Sequence, residues 1–184
     1  MSFVTFIIPT ISRETLDRTL RSLVEQGEDD WNAVVVADAV EDFKPPIRDN
    51  RIVCLNLKDK LGSSNHGGEV RNQGLCHANG EWIGFVDDDD RLDSEYTYRL
   101  KAESHGSDLV VFRMKYPDGA VLPEGAELGC CQVGISFAIR TSFLRSQSLR
   151  FGNLDTEDWD FIHRAMDRNA RVRISKHIAY YVRH

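Results

Sequence analysis

The sequence predicts an α/β fold, a single domain whose central sheet is mostly parallel and flanked by helices. Three observations lead there. Strand-length apolar runs alternate with helical patterns in β-α-β-β-α-β order over residues 3–86. One of those runs, Val34-Val35-Val36, is continuously apolar, as a strand buried on both faces should be. Another, Glu81 to Val86, runs straight into Asp87-Asp88-Asp89-Asp90, and sheets of this kind bind ligands beyond the carboxyl ends of their strands.

Taken in order, Phe3 to Ile8 is a β-rich run closed by Pro9. Ser12 is a candidate cap for a helix whose apolar stripe is Leu16, Leu20, Leu23 and Val24, and Gly27 ends it. Strands follow at 33–37 and 51–57, then a helix at 69–79 stopped by Gly80. In the second half, 108–114 and 133–140 look like strands, with Pro117-Asp118-Gly119 as a turn. A helix beginning near Asp155-Thr156 turns Phe161, Ile162, Ala165 and Met166 towards the core, and 171–183 alternates as a last strand. There is no repeat, low-complexity tract or linker. Residues 1–90 suit a nucleotide, and 91–184 suit whatever the nucleotide's cargo meets.

Composition narrows the function classes. Of 184 residues, 41% are hydrophobic and 28% charged, which is usual for a soluble globular chain. A net charge of -6 argues against a nucleic-acid partner, which selects a basic face. The N-terminus has no basic leader, and no stretch has the length to cross a bilayer. Cys54, Cys76, Cys130 and Cys131 lack zinc-site spacing, and the adjacent pair is poorly placed to bridge with itself. Reduced thiols in the cytoplasm are the simplest reading, with peripheral attachment to a membrane left open.

The aspartate run carries the chemistry. Adjacent carboxylates repel one another unless a cation or several donors neutralise them. A hard divalent ion with oxygen ligands does so directly, and Mg²⁺ or Mn²⁺ commonly combines one or two carboxylates with substrate phosphates. Asp87 and Asp89, being alternate residues, project to one side where strand geometry continues. Acid runs are more often solvated loops, and here the position after a buried strand favours the ion.

Several segments, in order, resemble the family 2 glycosyltransferases and their GT-A fold, with its Rossmann-like nucleotide-sugar-binding sheet. Phe6-Ile7-Ile8-Pro9-Thr10 is similar to the opening strand, and Val34-Val35-Val36-Ala37-Asp38 to the second. Val70-Arg71-Asn72-Gln73-Gly74 with Ala78-Asn79-Gly80-Glu81-Trp82-Ile83 resembles the stretch before the DxD strand. Phe85-Val86-Asp87-Asp88-Asp89-Asp90 resembles the DxD segment, and Thr156-Glu157-Asp158-Trp159-Asp160-Phe161 the Glu-Asp motif. Two departures stand out. Ala39-Val40-Glu41 replaces the usual Asp-Gly-Ser, and Ile11-Ser12 replaces the aromatic-Asn after the opening strand.

The resemblance implies an inverting, metal-dependent transfer of a sugar from a nucleoside-diphosphate donor, a UDP-sugar by preference, to a hydroxyl of a glycan or other acceptor. Asp89 is implied as the first metal ligand, with Asp87 beside it and His184 completing the site. His177 is a weaker alternative. Asp88 is implied to meet the donor ribose, Thr10 and Asp38 the base, and Arg71 the phosphates. Asp158 is the implied general base, ionised at neutral pH by the helix dipole, with Glu157 and Trp159 on the acceptor. Asp90 reads as a loop or capping residue, and His66-Gly67-Gly68 as a loop over the donor. Two other readings share the pattern. A sugar nucleotidyltransferase would open with a Gly-rich basic loop, which Pro9 to Arg13 is not. A domain that binds nucleotide-sugar or carbohydrate without turnover would not require Asp158.

Overall fold

The computed structural model describes residues 2–62, 67–152 and 154–183. The first half builds a parallel sheet from β1 (Val4–Thr10), β2 (Trp31–Asp38), β3 (Ile52–Leu57) and β4 (Trp82–Phe85), with α1 (Leu16–Val24) and α2 (Gly68–Leu75) as crossovers. The strand order is β3-β2-β1-β4, and all three pairings are parallel. β1 and β2 are buried along almost their whole length, which their unbroken apolar runs require. Register carries Thr10 opposite Ala37, so the carboxyl ends of β1 and β2 lie side by side, with the residues after β4 next to them.

The second half extends the same sheet. β5 (Arg91–Leu92), α3 (Tyr96–Glu103), β6 (Leu109–Lys115), β7 (Val121–Leu122) and β8 (Phe137–Arg140) are followed by α4 (Thr141–Ser146), α5 (Glu157–Asp167) and β9 (Val172–Tyr181). Past β4 the order is β8-β6-β9-β5, with β7 paired to β6. β8 runs antiparallel to both β4 and β6, whereas β9 is parallel to β6. β5 pairs antiparallel with β9, setting Arg91 opposite Tyr181 and Leu92 opposite Tyr180. That short pairing holds the residues after the aspartate run against the last strand.

Several expectations shift. Only the last four residues of 133–140 form a strand, and α3 and α4 occupy segments without a strong helical pattern. α2 ends at Leu75, four residues short of Asn79. Ser12 does not cap α1. It sits at φ 67° and donates its N–H to the Thr10 hydroxyl at 2.9 Å, and α1 begins four residues later. Val24 faces solvent while Leu16, Leu20 and Leu23 are buried.

α2 lies unusually close to the sheet because Gly74 has no side chain. A β-carbon there would stand 2.5 Å from Ile7 Cγ2. Beside α2, Phe85, Phe137, Phe151 and Phe161 form an aromatic cluster. Phe151 and Phe161 stack at 4.4 Å, and Phe85 meets Phe151 edge-on at 5.1 Å. Phe85 lies two residues before Asp87 and Phe161 three after Asp158, so this cluster fixes α5 relative to the end of β4.

Candidate active site

Thr10, Asp38 and the aspartate run converge on one cleft of about 490 Å³ at the carboxyl edge of the parallel sheet. Arg13, Lys60, Gly67, Arg71, Asp87, Asp88, Asp89 and Arg183 also line it. Asp38 is buried and accepts the N–H groups of Leu61 and Gly62 at 2.7 and 2.9 Å, so it anchors the loop that walls the cleft. Thr10 donates its hydroxyl to Asp88 at 2.6 Å, and Arg13 reaches the other Asp88 oxygen at 3.0 Å. Burial pushes the Asp88 carboxyl up against the pull of those two donors.

Asp87, Asp89 and Asp90 each offer a carboxylate oxygen, all within 4.8 Å of one another. Asp90 is not the ordinary loop residue expected from the sequence. It is buried, accepting the Tyr180 hydroxyl at 2.7 Å and the Arg183 N–H at 2.8 Å. The same Tyr180 hydroxyl accepts the Asp87 N–H at 3.1 Å. Burial, with Asp87 adding to it, pushes the Asp90 carboxyl up to about 7. Arg71 pairs with Asp87 at 2.5 Å, and Arg13 and Arg183 stand 3.2 and 3.5 Å from Asp89. Three hard oxygen donors this close together fit a divalent ion of the Mg²⁺ or Mn²⁺ kind. Among the described residues no histidine joins this group. His177 instead sits 3.9 Å from Glu103, and His66 and His184 lie outside the described residues.

The Arg71-Asn72-x-Gly74 stretch is mainly a structural junction. Arg71, 4% exposed, reaches Glu157 and Asp87, each at 2.5 Å, with its guanidinium 5.4 Å from the Phe151 ring. Burial works against its charge, but Asp87, Asp158 and Glu157 outweigh this and hold it firmly protonated. Asn72 exchanges two hydrogen bonds with the backbone of Phe151, at 3.0 and 2.9 Å. Glu157 points into the start of α2, accepting the N–H groups of Gly67 and Gly68 as well as Arg71. Its carboxylate is thus engaged internally, where the resemblance implied an acceptor contact. Gly67 and Gly68 are correspondingly pinned, and a β-carbon on Gly68 would stand 2.5 Å from Glu157 Oε2.

Asp158 is the second residue of α5, and its Oδ1 is buried without a hydrogen-bond partner. Burial overrides nearby Arg71 and pushes the carboxyl up to about 7. The dipole expectation of a fully ionised group at neutral pH is therefore corrected, because desolvation exceeds what a helix end supplies. The wall beside it is Met114, Gly134 and Tyr116. A β-carbon on Gly134 would lie 3.9 Å from Asp158 Oδ2 and 3.1 Å from Met114 Sδ. The half-buried Tyr116 hydroxyl lies 3.5 Å from Met114 Sδ, and burial, then the charges of Asp90 and Asp158, raises it. Trp159 lies outside the cleft lining and packs on His163 with ring centroids 5.4 Å apart.

Sequence reasoning missed Arg13, Tyr180, Tyr116 and Gly134 as site residues. Arg13 could have been found as the first base after Thr10. The other three join the site only through pairings distant in sequence.

A cleft at the ends of parallel strands, an acid run at its floor and a buried carboxyl at a helix start agree with the sequence pattern. That pattern matches the family described as Glycosyl transferase family 2 over residues 5–154. The chain belongs to that family. Over 95% of its length it is 28% identical to the poly(ribitol-phosphate) beta-N-acetylglucosaminyltransferase TarS of Staphylococcus aureus. It spans only 34% of that relative. The crystal structure of S. aureus TarS 1-349 superimposes with a TM-score of 0.82 and 26% identity, covering 99% of this chain and 60% of that one. The TarS 1-349 complex with UDP-GlcNAc gives 0.79 and 25%, covering 99% and 58%. The fold is the GT-A arrangement. Among the described residues, no helix is long and apolar enough to cross a membrane.

Proposed function

We propose that the chain transfers a sugar from a UDP-sugar to an acceptor hydroxyl with inversion, using Asp158 as general base and a divalent ion held by Asp89, Asp87 and Asp90. The observation that carries this is the partnerless Oδ1 of Asp158, in a carboxyl raised to about 7. A base works best with a pKa near the operating pH, and a buried oxygen with no internal donor is free to receive one from substrate. The likeness to TarS, whose structure holds UDP-GlcNAc, supports a UDP-sugar as donor.

Thr10 and Asp38 would face the nucleoside, with Asp88 on the ribose. Arg13, Lys60 and Arg183 supply positive charge at the cleft rim for the diphosphate. Arg71 acts on the donor side through Asp87, keeping that carboxylate in place. The ion would neutralise charge on the departing diphosphate. At the other face Asp158 takes the acceptor's proton as the hydroxyl oxygen bonds to the anomeric carbon and the bond to phosphate breaks. One displacement inverts the configuration, and no carboxylate nucleophile is needed opposite.

The test is to incubate the chain with UDP-GlcNAc and related UDP-sugars, Mn²⁺ and a panel of glycan acceptors, reading product stereochemistry by NMR. Inverted product is expected. Retained configuration, or turnover unaffected by EDTA, overturns the mechanism.

A further inference from the structure

Between β7 and β8 the chain passes through an exposed turn centred on two cysteines. Gln132 donates its N–H to the Gly129 carbonyl at 3.1 Å, so Cys130 and Cys131 are the middle pair of a β-turn. Cys131 has φ 66°, the left-handed region that glycine or asparagine normally fills at that turn position. A residue with a β-carbon is strained there. With that backbone the sulfurs lie 3.5 Å apart, and both thiols are exposed and unbridged. The other two cysteines, Cys54 on β3 and Cys76 at the end of α2, are also free and exposed, but stand on separate elements.

Two adjacent thiols can be joined directly or through a third atom, and this geometry favours the second. An unstrained disulfide has sulfurs about 2.05 Å apart and α-carbons usually about 4.4 Å apart or more. The α-carbons of neighbouring residues are only about 3.8 Å apart. A single bridging atom bonds one sulfur on each side and leaves the sulfurs near the separation the turn already gives them. Soft centres prefer sulfur to the oxygen and nitrogen ligands elsewhere on this surface.

We propose that Cys130 and Cys131 form a dithiol site that captures one soft, trivalent electrophilic centre, of the class represented by a monosubstituted arsenoxide. In the capture two S–H bonds break and two As–S bonds form. The arsenoxide oxygen leaves as water with both thiol protons, and arsenic stays trivalent, so no oxidant or reductant is required. The site is independent of the transferase reading. It nonetheless lies three residues before Gly134, the glycine beside Asp158.

The experiment uses the reduced chain and phenylarsine oxide. Native mass spectrometry should give one phenylarsenic adduct per chain, and titration should find two of the four thiols lost. The adduct should survive a large excess of 2-mercaptoethanol and be stripped by 2,3-dimercaptopropanol, the behaviour of a chelate. Cys130→Ser and Cys131→Ser should each lose that resistance, whereas a Cys54→Ser, Cys76→Ser double variant should keep it. An adduct mapped to Cys54 or Cys76, one stripped from the native chain by the monothiol, or one equally resistant in Cys130→Ser overturns the site.

Discussion

Arg71 and Glu157 meet at 2.5 Å although 86 positions separate them, and the same Glu157 carboxylate accepts the N–H groups of Gly67 and Gly68. The helix carrying Asp158 is thereby fastened to the helix carrying Arg71, and through Arg71 to Asp87. Removing one partner of a buried ion pair strands the other. Glu157→Ala should cost about 3–5 kcal/mol, read as a lower urea midpoint with an unchanged slope. Glu157→Gln, which keeps the hydrogen-bonding oxygen, should lose less. A Glu157→Ala variant within about 0.5 kcal/mol of the native chain, the range of ordinary surface changes, would mean the junction does not hold α5.

Asp158→Asn separates binding from chemistry. It keeps the shape and removes the basicity, so UDP affinity by calorimetry should be nearly unchanged while kcat falls by roughly 10²–10⁴-fold. In the native chain kcat should drop as pH falls through about 7, because the base then carries its proton. Near-normal turnover in the variant would return the role to another group.

The same carboxyl leaves a mark on stability. Its folded value, about 7, lies above the ordinary aspartate value of 3.8. Folding therefore favours the protonated form, and stability is lost as pH rises from near 4 through 7. Asp158→Asn should melt higher than the native chain at pH 8, and the gain should vanish near pH 4. Calorimetry at both values checks this, and a pH-independent difference contradicts it.

Asp89→Asn addresses the ion. Without a cation the aspartate run repels a diphosphate, so UDP should bind weakly in EDTA and more tightly when Mn²⁺ is restored. The variant should lose that Mn²⁺-dependent gain and keep the native circular dichroism spectrum. Equal affinity in all conditions would remove the ion from donor binding.

Gly134→Ala tests the acceptor wall. The added methyl would lie 3.9 Å from Asp158 Oδ2 and press on Met114 Sδ at 3.1 Å, narrowing the space through which the proposed acceptor hydroxyl would reach Asp158. Acceptor kcat/KM should fall about 10-fold or more, the scale of one misplaced methyl group in a pocket. Slow hydrolysis of the donor by water, a smaller nucleophile, should persist. A parallel fall in both rates would place the damage at the donor or in the fold.

The strands most legible in sequence are those buried along nearly their whole length. Val34 to Val36 and Phe6 to Ile8 announce themselves because burial on two sides forbids polar interruption. α3 was hidden because only Tyr96, Thr97 and Leu100 are buried among its charged residues, and α4 is six residues long. In the site, the sheet-end rule placed the aspartate run at the strand ends, and the family resemblance added Thr10 and Asp38 beside it. Tyr180 on Asp90 and Gly134 beside Asp158 could not be foreseen, since each depends on where β8 and β9 enter the sheet.

The Tyr180–Asp90 contact also sets a timetable. Residue 90 leaves the ribosome 90 positions ahead of the tyrosine that receives it. At typical elongation rates of about 5–20 residues per second, that interval lasts roughly 5–18 s. Through it the aspartate run has its parallel strands but not the last strand that fixes it. A nascent chain stalled before Tyr180 should thus expose a nearly complete nucleotide edge while its acidic floor is still unmoored.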